Sequence, residues 1–290
     1  LEFGIEKMKT PRISASSYSN TAPLIWSFLY GTNRGKYEMI LDNAPARSAE
    51  LLAQNRVDAA LVPVIAYQLL ENVQLIPNVC VGAKEKVKSV CLVTKGKDLP
   101  QVKSVSLDVS SKTSVALTKI IFREFLGFEP VWKDSEPNLE TMLGESDCAL
   151  LIGDPALVIP DSKFQIPDWS EPPAVAGGLN LRKFDLAELW KDFTGFGFIF
   201  AMWMTRRETC EIDFASASHE GLRHLDEIIS NYESEIPLSQ EDFQTYLTEN
   251  IAFTIDDSMQ KGLELYFELA AKNELIKTLK PLNFVSHRTA

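Results

Sequence analysis

Residues 102–126 read VKSVSLDVSSKTSVALTKIIFREFL. Val102–Leu107 is a strand by its alternation and β-branched content. A short polar turn follows, and Lys112–Leu126 is then the most regular helix of the chain. Its Val115, Leu117, Ile120, Ile121 and Phe125 fall mainly on one face. A strand passing through a tight polar turn into an amphipathic helix is half of a βαβ unit, and such units build parallel sheets covered by helices.

The same rhythm precedes this stretch. Ile13–Ala15 is a short strand leading into the Ser16–Asn20 turn. Thr21–Tyr30 is a helix with Pro23 in its first turn, where proline is tolerated. Tyr37–Leu41 is a strand, Ala46–Gln54 a helix after Pro45, Asp58–Val62 a strand, and Val64–Leu70 a helix. Val90–Thr94 is a further strand, joined by the polar link Lys95–Gln101 to the stretch quoted above. Beyond it come a strand at Glu129–Trp132, a helix at Pro137–Leu143 and an apolar strand at Cys148–Ile152. Val158–Gly178, rich in Pro and Gly, reads as a loop. Phe184–Phe193 is helical and Phe198–Trp203 an aromatic-rich strand. The tail is helical at Asp213–Ser230, Ser239–Glu249 and Asp256–Ala271. Two βα series and a helical tail predict an α/β protein of two lobes. Lobe I takes residues 11–97 plus 198–290 and lobe II residues 98–197. This discontinuous plan is that of the type II periplasmic-binding-protein-like fold, with a ligand cleft between the lobes at strand C-termini and helix N-termini.

Composition narrows the function. The chain has 290 residues and a net charge of −11, with a pI near 4.9, which argues against nucleic acid as a partner. The densest basic cluster, Lys84 to Lys88, is broken by Glu85 and Val87 and reads as a solvated turn. Cys80, Cys91, Cys148 and Cys210 show no metal-ligand spacing, and the first three sit in apolar runs as small hydrophobes. No run is long enough to span a membrane, and Leu1–Thr10 has no signal-peptide core. A cytoplasmic monomer or homodimer without metal or cofactor is expected.

Three polar loops fall where a cleft would form. Ser17, Tyr18, Asn20 and Thr21 follow the first strand. Ser110, Ser111, Lys112, Thr113 and Ser114 follow the first strand of lobe II. Both open a helix, where free N–H groups and the helix dipole favour carboxylates. Taken singly, each cluster is equally an N-cap, but the matched placement favours binding. The third loop carries Gly153 and Asp154, with Asp154 either facing the cleft or capping the next helix. Ser89 precedes a strand and says nothing by itself. His219, His224 and His287 lie in the tail, which disfavours a histidine triad or metal centre. Phe198 belongs to an aromatic cluster with Trp190, Phe193, Phe196, Phe200 and Trp203, by default a core and otherwise a lining for a ring-shaped ligand.

Six segments together resemble one family. Ser17-Tyr18-Ser19-Asn20-Thr21-Ala22-Pro23-Leu24 resembles the opening Ser-Tyr-Leu-Asn-Thr-x-Pro-Leu motif of the MqnA family, the chorismate dehydratases of the futalosine route to menaquinone. Val57–Val64, Lys88-Ser89-Val90, Ser111–Leu117, Leu151–Leu157 and Leu189–Trp203 are similar to its later segments, in order. Ser19 stands where the family has Leu, Lys112 where it has Arg, and Gly197 where it has Pro. Lys112 keeps the charge but loses the bidentate fork. The sister family MqnD opens with a Ser-Pro-Cys-Pro-Asn-Asp type of motif, which this chain lacks.

The resemblance implies conversion of chorismate to 3-(1-carboxyvinyloxy)benzoate and water, a carbon–oxygen lyase reaction. It implies Asn20 and Ser89 as the central polar pair. The base is either Asp154 or the enolpyruvyl carboxylate of the substrate. Ser111, Thr113 and Ser114 would hold a carboxylate, and Tyr18 and Thr21 the other wall. The alternatives are a small-acid solute-binding protein of the same fold and the MqnD type of lyase.

Overall fold

Two large sheets and a small two-stranded one make up the β-structure of the described residues. The computed structural model describes residues 10–43, 45–159, 164–166 and 179–287. The expected leader and most of the expected 158–178 loop lie outside the described residues. The chain opens with β1 (Arg12–Ser16), a 3₁₀ turn at Ser19–Thr21, α1 (Ala22–Leu29), β2 (Glu38–Asp42), α2 (Pro45–Ala53), β3 (Ala59–Pro63), α3 (Ala66–Leu69) and β4 (Gln74–Ala83). Then come β5 (Val90–Lys95), β6 (Ser104–Asp108), α4 (Lys112–Ile120), β7 (Val131–Ser135), α5 (Leu139–Glu145), β8 (Cys148–Ile152), α6 (Asp154–Leu157), β9 (Phe164–Ile166), β10 (Leu179–Asp185) and α7 (Leu186–Thr194). The last part holds β11 (Phe198–Thr205), β12 (Thr209–Cys210), α8 (Phe214–Leu222), α9 (Leu225–Tyr232), α10 (Gln240–Thr245), α11 (Asp257–Lys272) and β13 (Ser286–His287).

The first sheet has the order β2-β1-β3-β11-β4, and the second β7-β6-β8-β5-β10-β9. Crossover helices make β1 parallel to β2 and β3, and β6 parallel to β7 and β8. The central strands β3 and β8 are buried along their whole length, as strands covered on both faces must be. The long strand β11 returns antiparallel between β3 and β4 and ties the tail to the first lobe. The architecture is therefore a two-lobed α/β fold.

Several expectations need correction. β5 was expected in the first lobe, with the crossing after Lys95. It pairs instead with β8 and β10 in the second sheet, so the chain leaves the first lobe between Ala83 and Val90. The polar run after Lys95 merely links two strands of one sheet. The real crossing is short and its Val87 is buried. It is anchored by Asp185, whose carboxylate accepts N–H bonds from Val87, Lys88, Ala187 and Glu188. That carboxylate also caps α7, so helix starts at Leu186, and Phe184 and Asp185, expected to open the helix, instead end a strand over residues 179–185. Strand β4 escaped sequence reading because Pro77 and Asn78, the latter at φ 63°, interrupt its apolar run. The expected Asp213–Ser230 helix breaks at Arg223–His224, where the imidazole stacks on Trp26 at 3.8 Å.

Helix α8 packs closely on α1, the helix that follows the Asn20 turn. Gly221 permits it: a Cβ there would stand 2.0 Å from the Pro23 carbonyl oxygen. Gly221→Ala is expected to cost about 1–3 kcal/mol through this overpacking. Thermal unfolding checks it, and an unchanged midpoint would show that the two helices part freely.

Candidate active site

Between the lobes lies a cleft whose empty space, open solvent included, is about 510 Å³. The first lobe contributes Ser16 from the end of β1, and Tyr18, Asn20 and Thr21 from the 3₁₀ turn. The second contributes Ser111 and Ser114 from the start of α4. Leu61, Val87, Val90, Ile152 and Phe200 supply apolar walls. Among the described residues no charged side chain lines this space.

Local structure explains why the hydroxyls face inward. Ser111 occupies the N-cap of α4 in extended conformation, yet its side chain makes no cap bond. Ser114 Oγ approaches Ser111 Oγ at 3.4 Å. The first N–H groups of α4 have no intrahelical acceptor, so this end offers hydroxyls and N–H groups together. Thr21 at the start of α1 makes no cap bond either. Its hydroxyl donates within the turn, to the carbonyls of Ser16 at 2.6 Å and Tyr18 at 2.8 Å, and so fixes the loop that carries Asn20.

The lobes touch beside the cleft. Asp154, at the start of α6, accepts from the Ser19 hydroxyl at 2.5 Å and from the Ser19 N–H at 3.2 Å. Burial raises its carboxyl above the ordinary aspartate value, partly offset by the Ser19 bonds. Gly153 sits at φ 72°, ψ −150°, and a Cβ on it would meet the Tyr18 ring at 2.9 Å. The Gly153 N–H donates to the Ser89 carbonyl at 2.7 Å, which ties this turn to the start of β5. Burial likewise raises the Tyr18 phenol, which faces Ser110. Ser110 is held by its N–H on Asp108, at 2.9 Å.

The sequence-derived residues thus divide. Tyr18, Asn20, Thr21, Ser111 and Ser114 share the cleft. Ser89 is fully buried behind Val87 and Val90 rather than on the cleft wall. Thr113 does not face the cleft. Its hydroxyl accepts from the Ile65 N–H at 3.1 Å and its carbonyl accepts from the Tyr266 phenol, so it joins the lobes. Lys112 is exposed and borders a separate apolar hollow beside α2 and α3. Ser17 turns outward to Asn43 at 2.9 Å. Phe198 is a core residue, packed edge-on against Trp190 and Tyr266, and its neighbour Phe200 is the ring that reaches the cleft.

One residue was missed. Tyr246, from the tail, is fully buried with its phenol oxygen facing Ser89 and Asn20. It opens a π-helical turn, Tyr246–Asn250, a local widening that is frequent at functional sites. No sequence motif marks it; only the return of the tail onto the first lobe brings it here.

Comparison with known proteins agrees with this geometry. Residues 11–272 match a family model described as menaquinone biosynthesis. The chorismate dehydratase of Thermus thermophilus is 30% identical over 265 residues, covering 87% of this chain and 92% of that protein. A solved structure of an Archaeoglobus fulgidus protein superposes with a TM-score of 0.69 at 17% identity, covering 91% of this chain and 98% of that one. The periplasmic aliphatic sulphonate binding protein SsuA of Escherichia coli does so with a TM-score of 0.57 at 14% identity, covering 97% and 95%. The shared architecture is the periplasmic-binding-protein-like fold.

Proposed function

The chain belongs to the menaquinone-biosynthesis family, and on that premise we propose that it is a chorismate dehydratase, a carbon–oxygen lyase working in the cleft between its lobes. The observation that carries the reading is the cleft itself, in which the hydroxyl and amide groups of one lobe face a hydroxyl-bearing helix start of the other.

Chorismate carries two carboxylates on a small unsaturated ring. We assign one carboxylate to the Ser111–Ser114 end of α4, where hydroxyls and free N–H groups receive negative charge without a cation. The apolar walls hold the ring and exclude water, which strengthens each remaining polar contact. Dehydration breaks the ring C–H that is vinylogous to the ring carboxylate, forms a new ring double bond and expels the adjacent hydroxyl. Polarising the ring carboxylate acidifies that C–H, and aromatisation favours loss of the hydroxyl. Asn20, on the cleft wall, orients the leaving hydroxyl, with Ser89 behind it.

We assign proton removal to the enolpyruvyl carboxylate of the substrate, which then returns the proton to the departing hydroxyl as water. The support is that Asp154 lies outside the cleft lining and is engaged by Ser19 across the lobes. Asp154→Asn is therefore expected to keep its turnover, since an amide oxygen still accepts from Ser19. A loss of about 10²–10⁴-fold would instead make Asp154 the general base. Its stability follows from linkage. The folded-state pKa is raised, so the contribution of Asp154 is full below the unfolded value of about 3.9 and is lost as pH rises through the folded value. Unfolding midpoints of the Asn variant relative to wild type should accordingly rise from acid to neutral pH. A constant difference would contradict the raised pKa.

We place the protein in the cytoplasm as a biosynthetic enzyme; no helix among the described residues is long and apolar enough to cross a membrane. The competing reading is a binding protein of the same fold. Equilibrating the protein with chorismate and recovering the ligand separates the two. Recovery of the aromatic ether supports the dehydratase, whereas intact chorismate released from a stable complex supports a binding protein.

A further inference from the structure

We propose that Tyr246 is a positioning residue of this site: its buried phenol orients the Ser89 hydroxyl and the Asn20 amide toward the substrate. The inference rests on the dehydratase reading and extends it to a residue outside every motif.

The phenol oxygen faces both side chains, yet it makes no hydrogen bond of normal geometry among the described residues. Buried hydroxyls nearly always have a partner, and one left without is a candidate for function. The hydroxyl of Ser89 is just as weakly engaged, its contact to the Val87 carbonyl being 3.4 Å long. Two underused hydroxyls and an amide therefore meet beside the cleft. The ring of Tyr246 is fixed independently, stacked against Phe243 in the tail. The π-helical turn that it opens ends at Asn250, whose amide donates to the Lys86 carbonyl in the lobe crossing. The tyrosine is thus held from the tail and from the crossing segment at once.

Burial pushes the phenol well above its ordinary pKa, so it stays protonated and serves as a donor, not a base. A phenol is a stronger donor than an alcohol. Small shifts on closure of the lobes would let Tyr246 donate to Ser89 Oγ, which leaves the serine proton free to point outward. Ser89 then donates toward the hydroxyl that leaves. No net proton is consumed: the water is formed from the leaving hydroxyl and the ring proton.

Tyr246→Phe keeps the ring and removes only the hydroxyl. A hydroxyl that merely supported the fold would lower stability when removed. One kept in reserve for turnover should leave the thermal midpoint unchanged or raised, because a poorly satisfied buried polar group is gone. The expected result is a fall in kcat of up to about 10²-fold, the scale of a small misplacement in an oriented site, with KM nearly unchanged. A kcat equal to that of wild type would overturn the inference and leave the dehydratase reading intact. A large fall in the thermal midpoint would also overturn it, by showing a structural hydroxyl. If wild-type protein does not convert chorismate, the dehydratase reading fails and this inference falls with it.

Discussion

Ser89→Ala and Asn20→Ala are each expected to lower kcat for chorismate by about 10²–10³-fold, the usual effect of removing one preorganised donor from a water-excluded site. The physical basis is specific to their placement. Ser89 is fully buried and Asn20 is 9% exposed, so neither donor is replaced by bulk water when it is truncated. Both alanine variants should fold. Asn20 stands in a turn held by Thr21, and Ser89 keeps the backbone bonds that tie it to Gly153 and Val87. Steady-state kinetics with circular dichroism checks the expectation. Variants that keep wild-type kcat in a folded protein would place the chemistry elsewhere in the cleft.

The second large effect is expected at Gly153. Its φ of 72° with ψ of −150° belongs to a region that is essentially restricted to glycine, and a side chain there adds strain of about 1–3 kcal/mol. The added Cβ also meets the Tyr18 ring, which belongs to the opposite lobe. Two costs therefore act on one contact. Gly153→Ala should lower the unfolding midpoint by about 2–4 °C per kcal/mol, and should weaken substrate capture by forcing Tyr18 away. A rise in KM larger than the fall in kcat is the expected signature, since lobe closure serves binding first. A variant with unchanged KM and midpoint would show that the Tyr18–Gly153 contact is incidental to closure.

Of the residues in these predictions, Asn20 and Gly153 lie in loops legible in the sequence while Ser89 carried no signal of its own, and the reason is local. Residues 17–24 and 111–117 combine a helix start with hydroxyl residues, and that conjunction has a direct meaning for anions whatever the tertiary structure. The alternation of β1, α1, β2, α2 and β3 was readable because each element keeps its own period. What escaped depends on distant parts of the chain. The membership of β5 in the second sheet is decided by its pairing with β8 and β10, not by its own residues. Asp185 looks like an ordinary helix cap until its carboxylate is found holding Val87 and Lys88 as well. Phe198 and Phe200 are indistinguishable by type, and only packing against Trp190 and Tyr266 turns the first into core. Lys112 was grouped with the binding loop by its neighbours in the motif, but the helix turns it outward while Ser111 and Ser114 face in. Tyr246 lies in a tail whose pattern announces only helix.

The same contrast separates fold from function. A type II binding-protein architecture serves capture in some proteins and catalysis in others, so architecture alone does not decide. Here the decision rests on an uncharged cleft with Asn20 on its first-lobe wall and Ser89 buried behind it in the crossing segment. The central claim is that this site removes water from chorismate by orientation and polar contacts alone. Its most direct test is purified protein mixed with chorismate in EDTA-containing buffer, with product followed by chromatography and mass. The account predicts loss of one water to an aromatic enolpyruvyl ether, at a rate proportional to protein and crippled in the Ser89→Ala variant. Chorismate that stays intact in the presence of folded protein would contradict it.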